Sequence, residues 1–338
     1  MSKAVKLIEY STGGNLTEGN FAVITEEVPA LETLKKDQLL VRITDLSADP
    51  HMRQYVSKGS YYSFPLEQTI SGIGVGIVEA STSDDFKPGD AVSNPTMAWA
   101  NYSVVDAATS VKLDTANFPL NAHLGVLGMT SFTAYLGLAL AKPKQGETIV
   151  VSAAGGAVGQ IVIQLAKELG LHIVAISSSD EKNKYAESLG ANASINYKTT
   201  NDMAAALHIV APQGIDIYWD NVGGELLDLI LTKFKKFGRA IVCGAISQYS
   251  ADGSEVYRLK NVQSIITSSA SLIGFLFSDY MDTHYYTDFI AKFTTLVNEG
   301  KIKYKLDVVD GIEKAPTAFI DLFGGANFGK RIIHVADP

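Results

Sequence analysis

The chain has little material for metal or disulfide chemistry. It contains one cysteine, Cys243, and six histidines among 338 residues. A single cysteine cannot form an internal disulfide, and zinc sites normally combine several cysteine or histidine ligands at short spacing. The histidines lack such spacing, and they stand at His51, His123, His172, His208, His284 and His334. The sequence therefore predicts no metal site and no disulfide.

Positive charge and long apolar runs are also scarce. Lys and Arg number 28 against 36 Asp and Glu, which gives a net charge of −8. Because nucleic acids demand basic surfaces, they are not expected as partners. No apolar stretch reaches the length of a membrane span, and the first residues lack the apolar core of a signal peptide. With a lone cysteine, these features favour a cytoplasmic protein.

A strand, a glycine turn and an amphipathic helix follow one another between Glu147 and Gly170. The β-branched run Ile149–Val151 precedes the pattern Ala153-x-x-Gly156-x-x-Gly159, and an apolar helical face follows. Glycines allow a pyrophosphate to approach the backbone, and the helix N-terminus offers free N–H groups to it. This context favours a dinucleotide site over an ordinary strand-to-helix turn, which is the alternative reading.

The patterning changes near residue 120. Short strands and turns precede that point, whereas strands and helices alternate after it, which is typical of an α/β fold with a doubly wound parallel sheet. A helical pattern over 122–141 opens the second part. Strands are then expected at 148–153, 172–176, 193–195, 215–219, 239–243 and 270–275, and helices near 157–170, 181–189, 201–210, 224–236 and 284–299. The tail from Lys305 to Pro338 reads as strand, helix and strand.

Several motifs together resemble the medium-chain dehydrogenase/reductase superfamily. They are the glycine turn, Leu127-Gly-Met-Thr-Ser-Phe-Thr-Ala-Tyr135, Asp220-Asn-Val-Gly-Gly224, Asp49-Pro-His-Met-Arg53, Val242-Cys-Gly-Ala-Ile-Ser-Gln-Tyr249, Gly274-Phe-Leu-Phe-Ser-Asp-Tyr280 and Gly325-Ala-Asn-Phe-Gly-Lys330. Within that superfamily the chain is similar to the zinc-independent NADPH-dependent alkenal/one reductases. This group includes leukotriene B4 dehydrogenase/prostaglandin reductase, plant double-bond reductases and bacterial curcumin reductase.

The resemblance implies a GroES-like β-barrel domain beside a Rossmann domain. The barrel would span 1–121 and be completed by 306–338, the Rossmann domain would span 122–305, and the active site would lie in the cleft. A homodimer or a monomer is expected. Zinc-dependent relatives carry Gly-His-Glu where this chain has Gly72-Ile73-Gly74. Without a Lewis acid an alcohol is hard to activate, whereas a conjugated double bond is already polarised, so enone or enal reduction is favoured.

Cofactor choice follows from the end of the second Rossmann strand. An acid there usually binds the ribose of NAD, but this strand runs into Ser177-Ser-Ser179, and Asp180 resembles a helix N-cap. By resemblance, Lys182 and Tyr197 hold the 2′-phosphate of NADPH; a solvated lysine and a packing tyrosine are the alternative. The cofactor residues implied by the resemblance are Met129, Thr130, Gly156, Ala157, Val158, Gly159, Ser178, Lys182, Tyr197, Asn221, Cys243, Tyr249 and Asn327.

Two tyrosines are candidates for catalysis. Tyr249 would lie beside the nicotinamide ribose, where a neutral phenol can donate to a developing enolate oxygen, and Tyr61 is a second candidate. The implied substrate pocket comprises His51, Tyr55, Tyr61, Tyr62, Phe275, Phe277 and Tyr280, although the last three could instead form a subunit interface. Cys243 reads as a small buried residue and Asn327 alternatively as a left-handed turn residue.

His51 and Tyr55 depart from the family's common Asp-Pro-Tyr-Met-Arg-Gly-Arg-Met, which puts the preferred substrate in doubt. Two other functions stay open at this point. One is an NADPH:quinone oxidoreductase of the same superfamily, and the other is a non-catalytic NADPH-binding protein.

Overall fold

The computed structural model describes residues 1–11, 14–58, 63–251 and 255–338. By its internal contacts the chain forms two units. The β unit comprises Met1–Gly128 and Leu306–Pro338, and the Rossmann unit comprises Met129–Lys305.

The β unit is built from short, mostly antiparallel strands. Its strands are β1 (Ser2–Leu7), β2 (Phe21–Glu26), β3 (Gln38–Ser47), β4 (Gln68–Thr69), β5 (Ser71–Ser81), β6 (Ala91–Ala98), β7 (Tyr102–Asp106) and β8 (Val111–Lys112). The tail of the chain adds β15 (Leu306–Asp310), helix α8 (Ala315–Ile320) and β16 (Lys330–His334). In the described part of this unit, one sheet has the order β2-β1-β4 and another the order β15-β16-β3-β5-β6-β8, with β7 paired to β3.

The tail is integral to the β unit because β16 pairs with β3. The register joins Ile332 to Ser47 and His334 to Asp45. Phe319 of α8 packs edge-on against Trp99, with ring centroids 5.8 Å apart, and both rings are buried in the core. The apolar residues of the tail therefore complete the same core that the first strands begin.

The Rossmann unit alternates strands with helices. Its elements are α1 (Met129–Ala141), β9 (Thr148–Ser152), α2 (Gly159–Glu168), β10 (His172–Ser177), α3 (Asp180–Leu189), β11 (Ala193–Asn196), α4 (Met203–Val210), β12 (Ile215–Asp220), α5 (Gly224–Leu231), β13 (Phe234–Val242), α6 (Gln263–Ser268), β14 (Ser271–Gly274) and α7 (His284–Asn298). Among the described residues the sheet has the order β11-β10-β9-β12-β13-β14, and all of its pairings are parallel.

The burial of β9 and α2 explains why their sequences are so apolar. Every residue of β9 is buried, as expected for a parallel strand covered by helices on both faces. Helix α2 is buried on all sides over residues 159–166, which include Ile161, Val162 and Leu165 of its apolar face. The α/β class and the doubly wound Rossmann arrangement that the sequence predicts are confirmed.

Two predicted helices have different bounds. The helix expected over 122–141 begins only at Met129, because Gly125 and Gly128 interrupt the pattern; a Cβ on Gly128 would lie 2.4 Å from the carbonyl oxygen of His123. The helix expected near 224–236 ends at Leu231. Strand β13 then begins at Phe234, which pairs with Ile215, so tertiary pairing overrides helical patterning in this segment.

Among the described residues, none of the helices combines the length and the apolar character needed to cross a membrane.

Candidate cofactor and active site

The turn between β9 and α2 is packed too tightly for side chains at its glycines. A Cβ on Gly159 would lie 2.6 Å from the carbonyl oxygen of Ala153 and 2.8 Å from the Cα of Ala154. Gly156 has less room than most residues, with 3.1 Å to the same oxygen. Ala153 itself has a φ of +48°, a left-handed conformation that is unusual for a residue with a side chain. The turn therefore has the close approach of helix to strand that the glycine pattern predicts.

Free amide groups surround the start of α2. No other group in the described part of the chain accepts a hydrogen bond from the N–H of Ala157, Val158 or Gly159. Val158, at the N-cap position, provides no side-chain cap. Uncapped N–H groups and the positive end of the helix dipole attract anions. This segment could therefore hold a phosphate group, and it includes four of the predicted cofactor residues.

The end of β10 carries hydroxyl groups rather than an acid. Ser177 is buried, and its Oγ has no hydrogen-bond partner in the described structure. The Nζ of Lys182 donates to the Oγ of Ser178 at 3.1 Å. The stem of Lys182 packs on the glycine turn, since a Cβ on Gly155 would lie 3.0 Å from the Cβ of Lys182. Lys182 thus contacts both Ser178, another predicted cofactor residue, and the glycine turn.

Ser179, not Asp180, is the N-cap of α3, which corrects the sequence interpretation. The Oγ of Ser179 accepts a hydrogen bond from the N–H of Lys182, and Asp180 is the first residue of the helix. The carboxylate of Asp180 accepts a hydrogen bond from the Nδ2 of Asn196 at 2.7 Å. Asp180 therefore bonds to the last residue of β11 and does not cap α3. Tyr197, the residue after Asn196, keeps 47% of its surface exposed and donates its N–H to the carbonyl of Ser177.

Asn221 is held firmly at the end of β12. Its Nδ2 donates to the carbonyl of Ser152 at 2.7 Å, and its Oδ1 accepts from the Nε1 of Trp219 at 3.2 Å. Its N–H donates to the Oγ of Ser152 at 2.9 Å. Ser152 was not among the predicted site residues, although its place as the polar last residue of an apolar strand is a signal of that role.

Asp220 is a buried acid that the sequence interpretation did not assign to the site. Its Oδ1 accepts the N–H groups of Val222 and Gly223 at 3.0 and 2.8 Å. Its Oδ2 has no partner among the described residues. Burial raises the pKa of Asp220, although the bonds from Gly223 and Val222 oppose the shift. The acid shapes the turn into α5, and its carbonyl accepts the N–H of Cys243.

Tyr249 lies at the end of a single helical turn, Ile246–Gln248. Its hydroxyl oxygen accepts the N–H of Ala245 at 3.1 Å, which leaves the phenol proton free to donate elsewhere. Burial raises the pKa of Tyr249, while the bond from Ala245 opposes this. The phenol is therefore neutral at physiological pH.

Cys243 follows β13 and is unsuited to act as a nucleophile. Burial and the nearby Asp220 raise the pKa of its thiol to about 12. A neutral thiol is a poor nucleophile. By its exposed surface Cys243 is only partly buried, which differs from the small buried residue that the sequence suggests.

Aromatic side chains lie close to this part of the Rossmann unit. The ring of Phe275 lies 6.4 Å from that of Trp219, and Phe277 and Tyr280 belong to a short helical turn after β14. Tyr280 packs against Tyr285, with ring centroids 5.9 Å apart. Met129 begins α1, and Thr130 is buried in its first turn.

In the β unit, His51 and Tyr55 share one short helical segment and meet edge to face at 5.6 Å. The preceding Asp49 forms a buried ion pair with Lys330, with Nζ and Oδ1 2.6 Å apart. Lys330 is the first residue of β16 and follows Asn327 closely in the chain, so the pair anchors the end of the loop that carries Asn327. The predicted residues Tyr61 and Tyr62 lie outside the described residues.

Asn327 does not have the left-handed conformation that was the alternative reading for it. In its loop the positive φ angles belong to Gly325 and Gly329, at 69° and 93°. The Nδ2 of Asn327 donates to the carbonyl of Gly329 at 3.0 Å. The side chain therefore braces its own loop. No group of three or more His, Cys, Asp or Glu residues within the described ranges is arranged to hold a metal ion.

Comparison with known proteins places these features in a family. Residues 3–113 match a family model described as the N-terminal domain of oxidoreductase, and residues 157–293 match one described as zinc-binding dehydrogenase. The 2-alkenal reductase (NADP(+)-dependent) of Nicotiana tabacum is 40% identical over 306 residues, which cover 89% of this chain and 88% of that protein.

Two further relatives are similar over almost the whole chain. Prostaglandin reductase 1 of Mus musculus is 35% identical over 94% of both proteins. The crystal structure of CurA from Vibrio vulnificus in complex with NADPH has a TM-score of 0.90 and 32% identity, and the match covers 99% of this chain and 100% of that one. At these identities and coverages, the chain belongs to the zinc-independent medium-chain dehydrogenase/reductases, in the family of alkenal/one and prostaglandin reductases.

Proposed function

We propose that this protein reduces the carbon–carbon double bond of α,β-unsaturated ketones and aldehydes with NADPH. The observation that carries the proposal is the constellation at the carboxyl ends of β9, β10 and β12. There, uncapped amides begin α2, Lys182 bonds Ser178, and Asn221 is anchored by Ser152. These strand ends are where dinucleotides bind in a doubly wound sheet.

The donors present fit NADPH. The free N–H groups of Ala157, Val158 and Gly159 would hold the pyrophosphate, and the lack of side chains at Gly156 and Gly159 lets the start of α2 approach Ala153 and Ala154 closely enough to present them. Ser178 and Lys182 would bind the 2′-phosphate, and Tyr197 would cover it. The carboxylate of Asp180 is engaged by Asn196, so it opposes a phosphate less than an unpartnered acid at the end of β10 would. NADPH when bound supplies a hydride to the β-carbon of the substrate.

The chain itself supplies a hydrogen-bond donor for the oxygen of the substrate. As hydride adds at the β-carbon, negative charge develops on the carbonyl oxygen. Tyr249 remains neutral, and its hydroxyl oxygen is fixed by Ala245, so its proton can be aimed at that charge. Such a donor stabilises the transition state more than the bound substrate. A proton from solvent or from a tyrosine is then added to the α-carbon, which completes the reduction.

The activities for which the relatives are named support this substrate class. A 2-alkenal reductase at 40% identity and (+)-pulegone reductase of Mentha piperita at 32% identity over 99% of the chain are reductases by name. The crystal structure of Escherichia coli quinone oxidoreductase complexed with NADPH is only 20% identical, which supports a common fold alone.

The test is steady-state turnover with NADPH and a panel of acyclic enones, enals and quinones. We expect enones and enals to be reduced at the double bond, with product identified by mass and by retention of the carbonyl group. Preferential quinone reduction would favour the quinone oxidoreductase alternative. NADPH binding with no turnover of any panel member would favour a non-catalytic role.

A further inference from the structure

A buried carboxylate on α5 organises the segment that follows Tyr249. Asp228 is 3% exposed, and it accepts four hydrogen bonds with its two oxygens. Its Oδ1 accepts the N–H groups of Lys260 and Asn261, both at 2.8 Å. Its Oδ2 accepts the hydroxyl of Tyr257 at 3.0 Å and the Nδ2 of Asn261 at 2.9 Å. One side chain therefore fixes residues 257–261 against the helix.

Tyr257 extends this anchor to the turn that carries Tyr249. The N–H of Tyr257 donates to the Oε1 of Gln248 at 2.7 Å, and the Nε2 of Gln248 donates to the Oγ of Ser247 at 2.9 Å. The Oγ of Ser247 in turn donates to the carbonyl of Val222 at 2.6 Å. A continuous set of hydrogen bonds thus runs from Asp228 to the residue directly before Tyr249.

The same turn is joined to the end of β12. The N–H of Ile246 donates to the carbonyl of Asn221 at 3.2 Å, and the N–H of Ser247 donates to the carbonyl of Val222 at 3.2 Å. The side chain of Gln248 also lies over Gly224, where a Cβ would come within 2.7 Å of its Nε2. A shift of Gln248 would therefore move the turn that holds both Tyr249 and the backbone of Asn221.

We propose that Asp228 and Tyr257 are positioning residues for the reduction, which fix the hydroxyl of Tyr249 through Gln248. The inference rests on the proposed function for its kinetic consequence, but the hydrogen-bond network it invokes has its own readout. Neither residue is expected to touch the substrate. Their effect passes through the geometry of residues 245–249, which must be held within a fraction of an ångström for efficient hydrogen bonding in the transition state.

The experiment is a double-mutant cycle with Tyr257→Phe and Tyr249→Phe. We expect Tyr257→Phe to lower kcat by about threefold or more in the native background, and to have almost no effect when Tyr249 is already phenylalanine, because residues of one network are not additive. 4-Deuterated NADPH establishes that hydride transfer limits the rate. Equal losses in the two backgrounds would overturn the proposal. Tyr185→Phe, which removes a phenol bond to Gln160, is the matched control and should leave kcat unchanged.

A second measurement does not need enone turnover. Amide hydrogen exchange of peptides that cover residues 245–249 should become faster in Tyr257→Phe by about tenfold, the change expected when roughly 1.4 kcal/mol of local stability is lost. Unchanged exchange there would refute the network, whatever the substrate is. If the native protein reduces no enone but exchange responds as expected, the proposed function fails and the positioning network stands.

Discussion

The stem of Lys182 lies against Gly155, so the residue predicted to bind the 2′-phosphate is braced by the turn that would hold the pyrophosphate. A Cβ on Gly155 would lie 3.0 Å from the Cβ and 3.2 Å from the Cγ of that lysine. Because the Cβ of a helical residue moves only with its backbone, the two proposed phosphate sites would move together. Under the proposed assignment, recognition of the 2′-phosphate would therefore depend on the glycine turn as well as on the ammonium group.

Lys182→Ala should weaken NADPH binding by roughly ten- to a hundredfold, the value of one charge-assisted phosphate contact. NADH affinity should remain almost unchanged, because NADH lacks that phosphate. Fluorescence titration of both cofactors measures the effect. Lys184→Ala, which alters an exposed lysine on the same helix, is the control. An equal loss for both cofactors would remove the 2′-phosphate assignment.

Tyr249→Phe should lower kcat and kcat/KM for an enone by on the order of tenfold, with a smaller change in NADPH affinity. The variant loses the proposed donor to the developing enolate. It also leaves the N–H of Ala245 without its acceptor, which should cost about 1 kcal/mol of stability. Thermal unfolding measured beside the kinetics separates the two effects. Native kcat, with hydride transfer rate-limiting, would make Tyr249 a structural residue.

Lys330→Met should destabilise the β unit by about 3–5 kcal/mol, because it leaves the buried carboxylate of Asp49 without its cation. Lys330 and Asp49 are 2% and 4% exposed. Although burial opposes it, the Lys330 ammonium holds the pKa of Asp49 below its usual value. Urea denaturation gives the cost. The exposed pair Lys3–Glu313 provides the control, since Lys3→Met should cost less than about 1 kcal/mol. Similar losses in the two variants would contradict the structure.

Stability should depend on pH through His334. Its Nδ1 lies 3.0 Å from the Oδ1 of Asp45, with Asp337 and Asp310 nearby. Although partial burial opposes it, the bond to Asp45 raises the pKa of His334 above 6.5. The stabilisation is therefore complete below pH 6.5 and is lost as pH rises through the higher folded-state pKa. Burial raises the pKa of Asp45 as well, so the variant must be measured at the same pH values.

His334→Gln should flatten this dependence. In the native protein the free energy of unfolding should fall as the pH rises above about 6.5, because the pKa of His334 is raised above that ordinary histidine value. The variant should lose most of that slope, as measured by urea denaturation at several pH values. Parallel slopes in the two proteins would assign the dependence to another group.

Purified protein should contain no stoichiometric zinc, and chelators should leave enone turnover unchanged. The reason is the scarcity of ligand residues in the sequence, with one cysteine and six scattered histidines. Elemental analysis measures zinc per chain. About one zinc per chain, with activity that a chelator abolishes, would overturn the proposed mechanism.

The sequence predicts the Rossmann unit well because its signals are local. Apolar β-branched strands, glycine turns and amphipathic helices are each read within a few residues, and β9, α2 and β10 follow those patterns closely. The start of β13 at Phe234 was not predictable in this way, because it depends on pairing with Ile215 across the sheet. Local patterning also assigned the cap of α3 to the wrong residue, since Ser179 and Asp180 are both good capping residues.

The site was predicted by motif, and its supporting contacts were not. Asn221 and Tyr249 stand beside glycine turns that a sequence reader recognises. Of the residues proposed to support them, Ser152 is 69 positions from Asn221, whereas Asp228 and Tyr257 are much nearer in the chain. In each case a serine, an aspartate or a tyrosine alone carries no distinguishing signal. The buried pair of Asp49 and Lys330 likewise unites residues from opposite ends of the chain. Such partners become evident only when the fold brings them within hydrogen-bond distance.

Ala153 has a φ of +48°, so the turn between β9 and α2 carries a backbone strain that a glycine at its first position would not have. An alanine in this conformation costs roughly 1–2 kcal/mol relative to its preferred backbone angles. An alanine also restricts the unfolded chain more than a glycine, but that gain is outweighed where φ is positive, so the conformation of Ala153 carries a net cost. The close packing of α2 against Ala153 and Ala154 therefore has to hold the turn in this one shape. Less ordering then remains to be done at the moment of binding, so the affinity for a dinucleotide is eroded less by lost backbone freedom.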